Sequence, residues 1–193
     1  VLEENEIGKV LRLNGEGAYL ELPKNLLKKV ENYTVFTTVN IKELSNWIRI
    51  FDFGSSPSKY TFFSPTGGGG KLVWDTNDTT KIVSIGAPMT VSLNRWINLT
   101  CTYENGVSKI YFNGNEVAKL EGEEPTLKLL GNTQNNYIGK SQFSADPTIK
   151  ADFSEIRIYN KALKKEEIDN LINNQINNDI VEIKEIKIEG KVG

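Results

Sequence analysis

The segment WINLTCTYENGVSKIYFNGNEV, from Trp96 to Val117, constrains the fold more than any other part of the chain. Leu99, Cys101 and Tyr103 alternate with Asn98, Thr100 and Thr102, and after a turn Ile110 and Phe112 alternate with Lys109 and Tyr111. A period of two means strands with one buried face. The connections are Glu104-Asn105-Gly106 and Asn113-Gly114. Asn-Gly accepts positive φ at little cost, so each connection predicts a tight hairpin and the whole segment an antiparallel meander.

The rest of the chain continues in this manner to about Asn160. Strands are predicted at Lys9–Leu13, Ala18–Leu22, Tyr33–Asn40, Trp47–Phe53, Lys59–Pro65, Lys71–Asp75, Lys81–Ile85 and Met89–Leu93. After them come Trp96–Glu104, Val107–Phe112, Glu116–Leu120, Asn136–Gly139 and Phe153–Tyr159. Many short strands with frequent turn signals indicate a sandwich. The run Gly67–Gly70 is a turn and not a phosphate loop, because no helix follows it and no Lys-Ser/Thr pair ends it. One helix is expected, over Lys164–Asn174. Ile168, Leu171 and Ile172 recur at helical spacing there, Glu166 and Glu167 suit its N-terminal dipole, and it should pack on the sandwich edge.

These segments resemble, in order, the motifs of laminin-G-like domains of the concanavalin A-type superfamily. LRLNGEGAYLELP is similar to an opening L-x-F-D-G-x-G-D-Y-V-x-L-P, and YTVFTTVNI stands where the family has F-T-I-S-F-W-V. WIRIFDFG followed by YTFFSPTGGGGKLVW resembles a bacterial W-x-R-L-F-D-F-G…Y-x-F-L-S-P…G-G-x-L-x-F. The hairpin itself resembles W-x-x-V-A-V-T-Y-D-G…Y-x-N-G. NYIGKSQ and DFSEIRIYNKALKKEEI resemble N-Y-I-G-R-S-Q and I-D-D-F-R-I-Y-N-R-A-L-S-x-E-E-I. The resemblance implies an all-β, antiparallel sandwich of concanavalin A-like jelly-roll type with one short C-terminal helix. It also implies an accessory module of a secreted bacterial carbohydrate-active enzyme.

With 193 residues the chain suits one large all-β domain. Residues 1–178 are assigned to the sandwich. The tail IVEIKEIKIEGKVG alternates apolar and charged residues, so 179–193 is read as a linker and the first strand of a following Ig-like domain. Val1 is not methionine, so a signal or an upstream domain is expected before it. Lys and Arg number 23 and Asp and Glu 25, for a net charge of −2 with no basic stripe, which argues against a nucleic-acid or membrane partner. No apolar run approaches the roughly 20 residues that span a bilayer. The single cysteine, Cys101, is expected inward as a small buried hydrophobe.

The chain holds no histidine, which removes every Ser-His and Cys-His catalytic arrangement and every His-ligated zinc site. The E-x-D-x-x-E strand signature of the related glucanases is also absent. Glu121, Glu123 and Glu124 cluster beside Gly122 and Pro125, as in a solvated loop. Asn32, Asn77 and Asn98 open N-x-T sequons, which chance explains in so Asn- and Thr-rich a chain.

Glycan binding needs aromatic faces beside planar polar groups. Its candidates are Trp47, Arg49, Asp52, Tyr60, Trp74, Tyr111, Gln142 and Phe143. For each aromatic the competing reading, a core position, is the commoner one. Arg49 and Asp52 would point to opposite faces of a regular strand, or else form a buried ion pair. Trp96 is expected in the core. A structural calcium is implied by the resemblance, which places Asn14 and Ser154-Glu155 at acidic positions of the family; Glu16 and Asp152 are further oxygen donors.

Three functions follow. The first is a non-catalytic carbohydrate-binding module that tethers a larger secreted or cell-surface bacterial enzyme to polysaccharide or host glycan, with catalytic and Ig-like domains covalently attached. The second is a structural accessory domain that packs on its catalytic neighbour and exposes an apolar patch to it. The third and most distant is a glucanase with an unrecognised carboxylate pair.

Overall fold

A computed structural model describes residues 2–5, 8–122, 130–177 and 191–192. In chain order its strands are β1 (Leu2–Asn5), β2 (Gly8–Asn14), β3 (Leu20–Leu22), β4 (Tyr33–Ile41), β5 (Phe51–Ser56), β6 (Lys59–Gly67) and β7 (Lys71–Asn77). They continue as β8 (Ile82–Ala87), β9 (Trp96–Glu104), β10 (Val107–Phe112), β11 (Asn115–Glu121), β12 (Asn135–Ile138) and β13 (Lys150–Tyr159). Helix α1 (Lys165–Asn177) and β14 (Lys191–Val192) follow. The strands form two antiparallel sheets, ordered β1-β2-β13-β4-β9-β10-β11 and β14-β3-β12-β5-β6-β7-β8. Among the described residues the architecture is the expected β-sandwich with one short C-terminal helix.

The hairpin signals hold in detail. Asn105 and Gly106, with φ of 47° and 83°, connect β9 to β10. Asn113 and Gly114, with φ of 49° and 78°, connect β10 to β11. Leu99, Cys101, Tyr103 and Ile110 face a core that also holds Val35, Val39, Ile41, Phe51, Phe53, Phe63, Trp74 and Phe153. Burying one such side chain contributes about 1.5–3 kcal/mol. Cys101 is free and fully buried, as expected.

Two strand assignments change. Met89–Leu93 is not a strand: after Pro88 the chain turns, and Leu93 is exposed while Val91 is buried. The strand expected over Trp47–Phe53 begins only at Phe51, because Trp47 takes a φ of 62° that no regular strand allows. The helix also differs in position. It lies on the outer face of the first sheet and not at its edge, burying Ile168 and Leu171 against Phe36 of β4, Tyr111 of β10 and Tyr159 of β13. Thr34 fastens the approach to it, donating to the Lys161 carbonyl at 2.9 Å and accepting the Leu163 N–H at 2.8 Å.

In the tail, Lys191 and Val192 pair antiparallel with Glu21 and Leu20 of β3. The remainder of 179–193 assigned to a following module lies outside the described residues, as do Glu123 and Glu124.

The loop 139–149 leaves β12 at Gly139, whose φ is 82°. Its base is closed by two backbone bonds, Gly139 N–H to the Ile50 carbonyl at 3.2 Å and Ile149 N–H to the Gly139 carbonyl at 2.9 Å. A Cβ at this position would stand 2.3 Å from Leu13 Cδ1 and 2.9 Å from Ile149 Cγ2. Gly139→Ala should therefore destabilise the domain by about 1–3 kcal/mol, since it combines αL strain with a core clash. Urea melts of the two proteins measure the difference, and equal midpoints would show that the core yields at this point.

Candidate functional site

Alternation decides which side chains reach the outer face of the second sheet. Phe51 and Phe53 of β5, Phe63 of β6 and Trp74 of β7 point into the core. Their neighbours must then point out. The pairing register aligns them in a row across five strand boundaries: Glu21, Tyr137, Asp52, Phe62, Asp75 and Ser84. A second row runs Asn135, Gly54, Tyr60, Asn77 and Ile82.

Arg49 is the centre of this face and is only 1% exposed. Its guanidinium carbon lies 3.8 Å above the Phe62 ring and 5.6 Å from the Trp47 ring. Nη1 donates to the Trp47 carbonyl at 2.5 Å and Nη2 to Asp146 Oδ2 at 2.8 Å. Nε is 3.5 Å from Asp52 Oδ2, an ion-pair distance. Arg49 and Asp52 thus reach the same face, against the opposite faces of a regular strand. Residues 48–50 precede β5, and the turn at Trp47 redirects them.

The loop 139–149 folds over this pair. Gln142 donates its backbone N–H to Asp52 Oδ2 at 2.9 Å and its side-chain amide to the Asn135 carbonyl at 2.8 Å. Ser141 Oγ donates to Asp146 Oδ2 at 2.8 Å and accepts the Phe143 N–H at 3.0 Å. The Phe143 ring meets Tyr60 edge-on at 5.6 Å, and Tyr60 stacks on Phe62 at 5.2 Å. Tyr60 and Phe62 are buried, whereas Trp47, Gln142, Phe143, Asp75 and Asn77 are half-buried and reach the surface.

Asp52 is fully buried, and among the described residues its Oδ1 accepts no hydrogen bond. Burial, only partly offset by the Gln142 N–H and Arg49, pushes its carboxyl up to about 7. Burial also raises Asp75, against the hydrogen bond from Ser84 Oγ.

Six of the eight glycan candidates therefore converge: Trp47, Arg49, Asp52, Tyr60, Gln142 and Phe143. Trp74 does not. It is a core residue, 1% exposed, whose Nε1 donates to Thr61 Oγ1 at 3.0 Å. Tyr111 belongs to the other sheet, buried under α1. Trp96 is half-buried at the start of β9 and not a full core residue. A groove of about 470 Å³ beside the first turn of α1 is lined by Tyr111, Lys109, Lys119 and Lys164. It offers no exposed aromatic face and lies on the opposite sheet.

Sequence reasoning missed Tyr19, Tyr137 and Lys140. Tyr19 and Tyr137 meet edge-on at 5.3 Å, and Lys140 Nζ sits 3.9 Å from the Tyr19 centroid and 4.7 Å from that of Tyr137. All three are half-buried. A signal existed: Ile138 is core, so its neighbour Tyr137 had to face outward.

The four residues expected to hold calcium are not brought together. Asn14 Oδ1 accepts the Glu16 N–H at 2.9 Å in a local turn, and the Glu16 side chain is exposed. Asp152 pairs with Arg12 Nε at 2.7 Å and Lys42 Nζ at 3.2 Å. Burial favours its neutral form, but the hydrogen bonds from Arg12 and Lys42 outweigh this and hold the carboxyl below its usual range. Glu155 pairs with Arg157. Among the described residues no three acidic, cysteine or histidine side chains form a metal cluster. Two protein cations already neutralise Asp152, so the set does not fit a common ion. Thermal melts in calcium and in chelator should coincide, and a shift of several degrees would restore the metal.

The sequence matches the family model of the concanavalin A-like lectin/glucanases superfamily over residues 14–169. The chain belongs to that superfamily. Among solved structures it is similar to domain 4 of an extracellular family-43 arabinanase from Geobacillus stearothermophilus, in complex with arabinotriose. The identity is 23% and the TM-score 0.79, covering 89% of this chain and 80% of that one. It is also similar to the CBM40 domain of the Ruminococcus gnavus IT-sialidase, at 11% identity and a TM-score of 0.69, covering 89% and 98%. A heptameric pentraxin from Limulus polyphemus matches at 15% identity and a TM-score of 0.64, covering 95% and 90%. A search of curated proteins finds no match.

Proposed function

We propose that this domain is a non-catalytic glycan-binding module, and that its site is the outer face of the second sheet. One observation carries the reading: Trp47 and Phe143 reach the surface as half-buried rings, flanked by Gln142, Asp75 and Asn77. Sugar C–H faces stack on such rings while amides and carboxylates pair with hydroxyls. Several solved relatives carry carbohydrate-binding names or bound sugars, which supports the same reading. By the same analogy the module serves a secreted or cell-surface bacterial enzyme, holding an attached catalytic domain to its polysaccharide.

A hydrolytic site is disfavoured by geometry. Asp52 and Asp75 lie on either side of Phe62 in the register, two strands apart, or about 9–10 Å at ordinary sheet spacing. That separation lies at the upper limit of an inverting carboxylate pair. A phenyl ring fills the place of the water, however, and Asp52 is sealed from solvent. The accessory-packing alternative calls for a broad apolar patch. Among the described residues the exposed large hydrophobics are Ile82 and Leu93, too few to form one.

A glycan array should detect binding to at least one plant, microbial or host polysaccharide. Trp47→Ala and Phe143→Ala should each weaken that binding roughly tenfold, about 1.4 kcal/mol, without unfolding the domain. Lys119→Ala, on the opposite sheet, should leave affinity unchanged. Silence across the array at millimolar ligand would defeat the proposal.

A further inference from the structure

A sheet face offers a sugar only those polar atoms that the protein has not already used. On the outer face of the second sheet most are used. The Gln142 amide donates to the Asn135 and Asp52 carbonyls at 2.8 and 3.5 Å and accepts from Asn135 Nδ2 at 3.3 Å. Asn77 Oδ1 accepts the Thr79 N–H at 2.9 Å. Arg49 is 1% exposed, with Nη1 on the Trp47 carbonyl and Nη2 on Asp146. The cation at the centre of this face is therefore sealed from a ligand.

Asp75 is the exception. It stands in the outward row of β7, paired with Phe62 on one side and Ser84 on the other. Its side chain is half-buried, and Ser84 Oγ donates to its Oδ1. Among the described residues its Oδ2 has no hydrogen-bond partner, and no lysine or arginine lies within ion-pair distance of it. Lys71 shares the outward row and is exposed, but it is four residues away, about 13 Å at ordinary strand rise. That exceeds the roughly 8 Å screening length of physiological salt. Lys140 lies on Tyr19 and Tyr137 instead. Burial accordingly pushes the Asp75 carboxyl up, against the Ser84 bond and the weaker pull of Arg49 and Lys71. Asp52 and Asp75 flank the Phe62 ring on which Arg49 rests, and Asp146 pairs with the same guanidinium. Three carboxylates thus gather around one sealed cation.

We propose that Asp75 sets the ligand class of this surface: neutral, hydroxyl-rich sugars bind, and sugars carrying a carboxylate or sulfate are turned away. The proposal rests on the glycan-binding reading and narrows it. A sugar hydroxyl donates to Asp75 Oδ2, a charge-assisted hydrogen bond that is about twice as strong as a neutral one. An ionised carboxylate or sulfate brings only acceptors. It would leave Oδ2 unpaired and set two like charges together in a partly desolvated place. Rejection of a competitor by such a clash is how a binding surface discriminates beyond its attractive contacts.

Titration of the 193-residue chain at pH 8 and low salt, which favour the ionised carboxylate and screen it least, reads the preference. The neutral probes are arabino-, galacto- and cello-oligosaccharides and lactose. The acidic probes are galacturono-oligosaccharides, cello-oligosaccharides oxidised at C6, and sialyllactose. The tightest neutral probe should bind at least about tenfold better than the tightest acidic one. Raising salt to about 1 M, where the screening length falls to about 3 Å, should narrow that ratio. Asp75→Asn keeps the shape and an acceptor for Ser84, and it should cut the ratio to about threefold or less. Ser84→Ala removes a hydroxyl but keeps the charge, so the ratio should stay near tenfold or above. Lys71→Gln should do the same. Acidic probes that bind as well as neutral ones, a ratio unmoved by Asp75→Asn, or a ratio lost in Ser84→Ala would overturn the proposal. Binding of the acidic set alone would sink the proposal and leave the glycan reading standing, whereas silence toward both sets would sink the two together.

Discussion

All nine residues of β4 are buried, although a strand in a two-layer sandwich has only one face toward the core. Something must cover the other face, and this requirement organises the molecule. Val35, Val39 and Ile41 face inward, while Phe36 faces outward and would be exposed without the helix. Helix α1 exists to meet that need. Its isolated length is marginal in water, so its stability comes from docking Ile168 and Leu171 onto Phe36, Tyr111 and Tyr159. The first sheet is thereby closed over its middle strands. Among the described residues the second sheet has no helix on its outer face, and a loop covers only part of it.

That partial cover has a different chemistry. A helix can bury a broad apolar stripe, but a loop has backbone groups to satisfy and few apolar side chains to offer. The 139–149 loop is therefore held by polar bonds to Asp52, Asn135 and Arg49. Removing Arg49 from water costs several kcal/mol, which its attraction to carboxylates repays only when the remaining donors are also satisfied. Here Nη1 meets a carbonyl, Nη2 meets Asp146 and two aromatic faces flank the plane, while Nε faces Asp52 at ion-pair distance without a hydrogen bond. The arrangement gives specificity of geometry more than net stability, and what it specifies is the placement of Trp47 and Phe143.

Much of this was legible in the sequence where one local rule governed. The Asn-Gly turns gave their hairpins, since few other dipeptides tolerate two positive φ values in succession. Alternation gave the inward Cys101. Two kinds of residue escaped. Trp74 has a core reading and a surface reading of equal local merit. Its inward direction follows from its pairing with Phe63, a contact the sequence does not display. Arg49 was placed on a regular strand because WIRIF alternates well. The kink at Trp47 depends on its N–H reaching the Thr66 carbonyl across the Gly-rich turn, a long-range bond. The expected calcium set has the same difficulty, since the pairing of Asp152 with Arg12 and Lys42 is tertiary.

The two outer faces thus divide their labour by what covers them. A face sealed by a helix through packed apolar side chains can change only by repacking, which costs kilocalories for each altered side chain. A face roofed by a loop can change its ring positions and polar groups while the sheet beneath stays fixed. In this chain the fixed part is the row Tyr137, Asp52, Phe62 and Asp75, set by strand register. The adjustable part is Lys140, Gln142 and Phe143, set by where Gly139 turns the chain and where Arg49 catches it. The exposed part of such a roof can vary in sequence without disturbing the core, as a packed helix cannot. The one invariant it demands is a buried cation with enough donors to hold both walls. Arginine meets that demand and lysine does not, since a single ammonium cannot span Trp47, Asp52 and Asp146 at once.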